Sequence, residues 1–158
     1  GDPMAEEKKL AIIATKGTLD WAYPPFILAS TAAALGYETQ IFFTFYGLNL
    51  LKKDLSDVKV SPLGNPAMPM PIPNLVQVLP GMESMATSMM KKKMKAKGVA
   101  SLEDLRDLCV EAEVSMIACQ MTVDLFEYDT KDFVDGIDYG GAASFFEFAG
   151  ESDISLFI

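Results

Sequence analysis

The chain has 158 residues, of which half are hydrophobic, and 13 basic against 22 acidic residues give it a formal net charge of −9. This length suits a single domain over residues 1–158 with a sizeable core, and the acidic balance argues against a general nucleic-acid binder. The chain contains no histidine, which excludes Ser-His-Asp catalysis, Cys-His catalysis and histidine-ligated metals. We therefore expect no metal and no cofactor.

The start of the chain and its cysteine count bear on the compartment. Two cysteines do not make the disulfide framework of a small secreted domain. No charged segment followed by an apolar stretch opens the chain, and no apolar run reaches the roughly 18 residues of a spanning helix. We expect a cytoplasmic protein without membrane contact. Residues 1–8 resemble a cloning scar followed by a disordered terminus, and we expect them to lie outside the fold.

The first elements predict a β-α-β unit. Residues 9–15 form an apolar run with a polar exit, which predicts a strand, and residues 37–45 predict the next one. Between them we expect a helix that begins around residues 21–24, where prolines are tolerated in the first turn, and that ends at Gly36. Such a unit has a right-handed crossover.

The loop at Gly17 and Thr18 is open to more than one interpretation. It lacks both glycine-rich nucleotide-binding patterns, so an ordinary turn is the plain interpretation, with Thr18 or Asp20 as the helix cap. A second interpretation is that this loop and the loop at Tyr46 flank a site, because the exits of parallel strands share one edge of the sheet.

The middle of the chain, residues 61–98, is rich in proline, methionine and lysine. After a short helix at residues 46–51, five prolines between residues 61 and 73 exclude a regular helix or a central strand. Residues 82–97 then predict a helix with a methionine stripe and a lysine cluster. The stripe either faces the core beneath solvated lysines, or forms an adaptable docking surface, with a membrane-surface helix as a weaker third interpretation. The docking surface would consist of Met85, Met89, Lys91, Lys92, Lys93 and Lys95.

The last third of the chain continues the alternation of helices and strands. Ser101 predicts the cap of a helix that runs to about Glu113. Its expected buried stripe consists of Leu102, Leu105, Leu108, Cys109 and Ala112. A strand over residues 114–118, a turn or short helix at 132–136, a helix at 142–149 and a strand at 154–158 follow. Four to five strands that alternate with helices predict a doubly wound α/β domain with a mostly parallel sheet and helices on both faces.

Cys119 is the candidate functional residue because it ends a buried strand and is followed by the polar residues Gln120, Thr122 and Asp124. Ligand sites in open α/β sheets lie at the carboxyl ends of strands, where backbone N–H groups of a following helix favour a thiolate. The alternative is a buried cysteine that acts as a small hydrophobe. We expect Gly17, Thr18, Tyr46 and Gln120 to line the site. Lys16 would either add positive charge there or be solvated.

From Lys9 onward the chain resembles the DsrE/DsrF-like family. The resemblance lies in the opening KLAIIATKGTLDWAYPPF, in MIACQMTVDLF after a helix, and in DFVDGIDYGGAASFFEFA before a closing strand. It implies a flavodoxin-like homo-oligomer that relays sulfane sulfur or a thiosulfonate group to or from TusA-like or rhodanese-like proteins. By matching position, it implies that Cys119 is the sulfur carrier and Cys109 an accessory cysteine.

Three functions are therefore weighed. The first is a sulfur carrier or sulfurtransferase centred on Cys119. The second is a non-catalytic regulatory or assembly module that binds a partner through the helix at residues 82–97. The third is a thiol redox sensor, because a low-pKa cysteine that is accessible also reacts with peroxide.

Overall fold

The structure is a computed structural model that describes residues 7–60 and 81–158. At its centre lies a five-stranded sheet in the order β4-β3-β2-β1-β5, with every neighbouring pair parallel. The strands are β1 Lys9–Ala14, β2 Glu38–Phe43, β3 Ser115–Cys119, β4 Asp138–Gly140 and β5 Ile154–Phe157. The predicted α/β class with a parallel sheet is confirmed.

Helices connect the strands in sequence order. They are α1 Leu19–Ala34, α2 Met82–Ala96, α3 Leu102–Glu111, α4 Gln120–Leu125 and α5 Ala142–Ala149, with two 3-10 helices at Phe45–Leu51 and Thr130–Asp132. Gly36 follows α1 at a φ of +91°, and the amide of Tyr37 bonds back to the carbonyl of Ala32, which ends the helix as predicted. The predicted excursion lies outside the described residues between 61 and 80.

Both faces of the sheet carry helices. Because successive residues of a strand point to opposite faces, Phe42 and Phe43 of β2 mark the two sides. Phe43 contacts Phe26 of α1, with ring centroids 5.9 Å apart, and Phe42 contacts Phe145 of α5 at 5.6 Å. The α1 face holds most of the buried core, whereas α5 has no buried residue.

The strand order explains this division. The chain steps in one direction from β1 to β4 and then returns to place β5 on the other side of β1. Right-handed crossovers in opposite directions put their helices on opposite faces, so α5 lies opposite α1. The reversal of strand order lies beside β1, two strands away from β3.

The first helix begins earlier than predicted. Its first residue is Leu19, and its cap, Thr18, has extended geometry but makes no side-chain capping bond. The amide of Leu19 instead donates to the carbonyl of Lys59 at 2.7 Å. This bond from a distant segment satisfies a helix-end amide, which no local pattern could indicate.

The buried stripe of α3 also differs from the prediction. Leu102 and Cys109 are buried, but Leu108 and Ala112 are exposed, and Arg106 is buried in their place. The Arg106 guanidinium donates to the carbonyls of Leu50 and Lys52 at 2.8 and 2.6 Å. Those carbonyls end a 3-10 helix and need donors, so a charged residue is buried at a position that the predicted stripe did not include.

The strand β4 was not predicted individually. It has three residues and pairs with β3 through Ile117↔Asp138 and Cys119↔Gly140. A strand this short has no alternating pattern to recognise. Within the range expected to be a turn or short helix, residues 132–136, a 3-10 helix ends at Asp132 and a turn follows at residues 135–136.

Two glycines allow the first two loops to meet at the carboxyl edge of the sheet. A Cβ atom on Gly47 would lie 2.2 Å from the carbonyl oxygen of Ala14, and one on Gly17 would lie 2.5 Å from that of Tyr46. Both obstacles are backbone atoms, which cannot move aside as a flexible side chain can. The edge therefore requires glycine at both positions.

No helix within residues 7–60 and 81–158 combines the length and the apolar character needed to cross a bilayer.

We predict that Gly47→Ala lowers the free energy of unfolding by about 3 kcal/mol, because overpacking against a fixed carbonyl displaces the backbone. Gly141→Ala is the control, since a Cβ atom there meets nothing within 4 Å; it should cost no more than about 1 kcal/mol, the scale of a helix-cap preference. Urea unfolding of the two variants checks this. Equal losses would show that the loops do not depend on close approach.

Candidate functional site

Cys119 is the last residue of β3, at the carboxyl end where the sequence placed it. It is also the cap residue of α4, so the first amides of that helix lie beside its sulfur. The side chain is only 5% exposed. The sulfur therefore lies at the edge of the sheet, just beneath the surface.

Two threonine hydroxyls accompany the sulfur. Thr122, in the first turn of α4, is fully buried. Its hydroxyl oxygen accepts the amide of Phe45 at 3.1 Å and lies 3.3 Å from the hydroxyl oxygen of Thr44. Thr44 follows the last residue of β2, and the register Phe43↔Ala118 makes Thr44 the neighbour of Cys119 across the two strands.

Burial and hydrogen bonding act on the sulfur in opposite directions. Burial raises the pKa of the Cys119 thiol, but hydrogen bonds from the hydroxyl and amide of Thr122, the hydroxyl of Thr44 and the amide of Met121 lower it. The donors prevail, and the pKa lies below the usual value for cysteine. A larger thiolate fraction at neutral pH follows, and the thiolate is the nucleophile.

Cys109 has the opposite setting. Its side chain is fully buried in α3, and its thiol donates to the carbonyl of Phe26 in α1 at 3.4 Å. Burial raises the pKa of Cys109 to about 11, although a hydrogen bond from the backbone amide of Ser30 opposes the shift. Both cysteines are free thiols. Cys109 thus has the environment of a packing residue.

The predicted lining residues lie in two groups. Gly17 packs against the backbone of Tyr46, so these two loops adjoin. Tyr46 is mostly exposed and stacks on Phe126, with centroids 5.9 Å apart. Gln120 is exposed, and its side chain donates to Asp124 at 2.9 Å rather than turning to the sulfur.

The Lys16 side chain contacts two neighbouring residues instead of extending into solvent. Its ammonium group lies 4.1 Å from the centre of the Trp21 ring and donates to the Thr15 hydroxyl at 3.4 Å. A cation over an indole face is attracted by the ring. The positive charge is therefore held at the start of α1.

The methionines of α2 are divided between the core and the surface. Met90 is buried and Met89 half-buried against the core, whereas Met85 is exposed. Thr87 fastens the helix by accepting the amide of Val60 at 2.9 Å. The exposed lysines of the predicted docking surface are Lys91, Lys92, Lys93 and Lys95. Met89 and Met90 pack inward, while Met85 and the lysines face outward.

A cavity lies beside the lysines. Its volume is about 400 Å³, and its walls include Lys91 and Lys95 of α2, Tyr23 of α1 and Glu103 of α3. Among all the described residues, no group of three or more carboxylates, cysteines or histidines is suited to hold a metal ion.

Sequence reasoning missed the two threonines that act on the sulfur. A threonine three residues after a cysteine that caps a helix is a usable local signal, because both residues then lie on one side of the first turn. Thr44 has no such signal. Its proximity to the sulfur depends on the register of β2 against β3, which cannot be read from the sequence.

Comparisons with known proteins agree with the family resemblance found in the sequence. The DsrE/DsrF/DrsH-like family matches residues 6–157. The chain is 70% identical to a protein of Allochromatium vinosum named sulfur carrier protein DsrE2, over 97% of this chain and 99% of that protein. It is 33% identical to YrkE of Bacillus subtilis, an uncharacterised protein, over 97% and 98% of the two chains.

A solved structure supports the fold alone. The crystal structure of the ychN protein from E. coli superposes with a TM-score of 0.56, covering 96% of this chain and 99% of that chain at 10% sequence identity.

The two cysteines should differ in their reaction with iodoacetamide. Cys119 should be alkylated with a midpoint below that of the free thiol N-acetylcysteine, because its lowered pKa supplies thiolate at lower pH. Cys109, with a pKa of about 11 and no access, should stay unmodified up to pH 9 in the folded protein. Peptide mapping of Cys109→Ser and Cys119→Ser across pH checks this, and a Cys119 midpoint at or above that of N-acetylcysteine would contradict it.

Proposed function

Because the chain belongs to the DsrE/DsrF/DrsH-like family, we propose that it is a sulfur carrier and that Cys119 is the residue that accepts the sulfur. The proposal combines the name of its 70% identical relative with the environment of one side chain. The sulfur is sulfane sulfur or a thiosulfonate group, and the protein passes it to another protein.

The observation that carries the proposal is the lowered pKa of a sulfur that is nearly out of water. A buried thiol ordinarily becomes less acidic, as Cys109 does. Cys119 becomes more acidic because hydroxyl and amide donors replace the lost water. No histidine is needed to activate it, and the chain has none.

The loading step is an exchange between sulfur atoms. The Cys119 thiolate attacks the terminal sulfur of a donor persulfide and forms a new S–S bond. The donor's own S–S bond breaks, and the donor leaves as a thiolate. Cys109 takes no sulfur in this scheme, because its thiol is buried and bonded to the carbonyl of Phe26.

We expect intact-protein mass spectrometry after exposure to polysulfide to show added sulfur atoms on the wild type and on Cys109→Ser, and none on Cys119→Ser. Each variant differs from the wild type by a single sulfur-to-oxygen exchange, so the two variants are matched controls for one another. Treatment with tetrathionate, as a separate arm, reports the same site through a thiosulfonate adduct.

The opposite result would favour a second function. If all three proteins stayed folded and unmodified, Cys119 would be a packing residue. The exposed lysines of α2 would then favour an assembly module that binds its partner through that helix. A sulfenic acid on Cys119 after mild peroxide, without uptake of sulfur, would instead favour a redox sensor.

The partner in the sulfur-carrier proposal is a TusA-like or rhodanese-like protein. The lysines of α2 form a basic surface on an otherwise acidic chain, and such a surface steers an acidic partner or an anionic sulfur donor. The exposed Met85 and the half-buried Met89 adjoin the lysines and adapt easily to a partner's shape.

We further propose that the protein is a homo-oligomer through the α5 face. Phe146 of α5 and Phe157 of β5 are about 70% exposed (68% and 72%). They border a shallow cavity of about 440 Å³, which Ile13, Phe145 and Leu156 also line. Exposed apolar surface of this kind marks an interaction site, and a second copy of the chain offers the matching surface.

Phe146→Asp should shift the oligomer towards the monomer, because a carboxylate cannot be buried in an apolar interface without a partner. Sedimentation velocity measures the distribution of species. Leu35→Asp is the control, since Leu35 is equally exposed at 73% but lies at the end of α1 on the other face. Identical distributions for wild type and Phe146→Asp would remove α5 from the interface.

A further inference from the structure

We propose that Thr122 is a further catalytic residue, whose hydroxyl acts with that of Thr44 to stabilise the Cys119 sulfur as it leaves when the carried sulfur passes to an acceptor. The inference rests on the proposed function, because it concerns the second half of the same transfer. It assigns to the two threonines the release of sulfur rather than its capture.

The geometry limits what the Thr122 hydroxyl can do. The side chain is fully buried, and its oxygen already accepts the amide of Phe45 at 3.1 Å. A hydroxyl has a single proton to donate. Within the site this proton can go to the Thr44 oxygen, 3.3 Å away, or to the Cys119 sulfur. Thr44 faces the same choice, so the charge on the sulfur decides where both protons point.

That charge moves when the carrier is loaded. In the empty protein the negative charge is on the cysteine sulfur itself. In a persulfide it is on the terminal sulfur, about 2 Å farther out along the S–S bond. Donors fixed around the cysteine sulfur therefore stabilise the empty thiolate more than the loaded form. They lower the free energy of the state that remains after sulfur is released.

The release step balances without any further reagent. An acceptor thiolate attacks the terminal sulfur and forms a new S–S bond with it. The bond between that sulfur and Cys119 breaks, and its electron pair stays on the Cys119 sulfur. A thiol that is a weaker base leaves faster. Hydrogen bonds from Thr122 and Thr44 to the departing sulfur thus favour onward transfer.

The two threonines are not equivalent in their structural duties. Phe45 has a left-handed backbone, with φ of +49°, and its amide is held by the Thr122 hydroxyl. Thr122→Val removes that support together with the donor to sulfur. Thr44→Val removes a donor but leaves the Phe45 bond in place, and Thr122→Ser keeps the hydroxyl. These three variants separate chemistry from folding.

The test loads each protein with polysulfide, removes the excess, and discharges the sulfur with cyanide. Cyanide attacks the terminal sulfur, so the products are thiocyanate and the Cys119 thiolate. We expect Thr44→Val and Thr122→Val to release thiocyanate about 3- to 10-fold more slowly than wild type, and Thr122→Ser at nearly the wild-type rate. Loading, measured at a pH where the thiolate is fully formed, should be unchanged or faster, because a more basic thiolate is the better nucleophile.

Each other outcome decides the question. Wild-type discharge rates in Thr44→Val and Thr122→Val, both folded by circular dichroism and both loaded, would overturn the inference and leave the proposed function standing. Equal slowing of loading and discharge would also overturn it, because it would indicate a general disturbance. If Thr122→Val does not fold, Thr44→Val alone decides. If wild-type Cys119 takes up no sulfur, the proposed function fails and the inference falls with it.

Discussion

At the end of β3, burial raises the pKa of the Cys119 thiol and hydrogen bonds lower it. The surrounding edge of the sheet supplies enough hydrogen-bond donors for the lowering to prevail. Water is nearly excluded, so the charge must be met by donors of the protein. Two of these donors come from the start of α4, and the others from the hydroxyls of Thr122 and Thr44. The Thr44 hydroxyl is available only because β2 and β3 pair in one register. That register in turn ends at a corner whose loop approaches Ala14 too closely for any residue but glycine at position 47.

The two cysteines show how far position outweighs residue type. They lie ten residues apart along the chain, and both are almost entirely buried. Cys109 lies between α3 and α1, where its nearest acceptor is a carbonyl and burial dominates its pKa. Cys119 lies where a strand gives way to a helix, and there the backbone amides have no partners within the helix. A thiol acquires chemistry from unsatisfied donors around it, and only one of the two has them.

Much of the fold could be predicted from hydrophobic periodicity and from helix- and strand-breaking residues. Of the site, only the central residue Cys119 could be predicted. The apolar runs of β1, β2, β3 and β5 and the cap at Ser101 are local signals, and each appears within a few residues of its predicted place. Cys119 follows from the same logic, because a strand that ends in polar residues is visible in the sequence. Arg106 was missed because its role is to satisfy carbonyls of the helix Phe45–Leu51, more than fifty positions away. Thr44 was missed for the same reason, since only strand pairing brings it to the sulfur.

The shallow burial of Cys119 also bears on the size of the reagents that can reach its sulfur. Only 5% of Cys119 is exposed, so a slender reagent meets less steric hindrance on its way to the sulfur than a bulky one does. A terminal sulfur that has been added to it stands one bond farther out and is correspondingly easier to reach. If Cys119 carries sulfur as proposed, the empty protein is less open to large disulfides, and the added sulfur of the loaded protein is the more accessible atom. In the proposed function, the depth of Cys119 below the surface would therefore separate the empty state from the loaded state by the size of the reagents that can reach each.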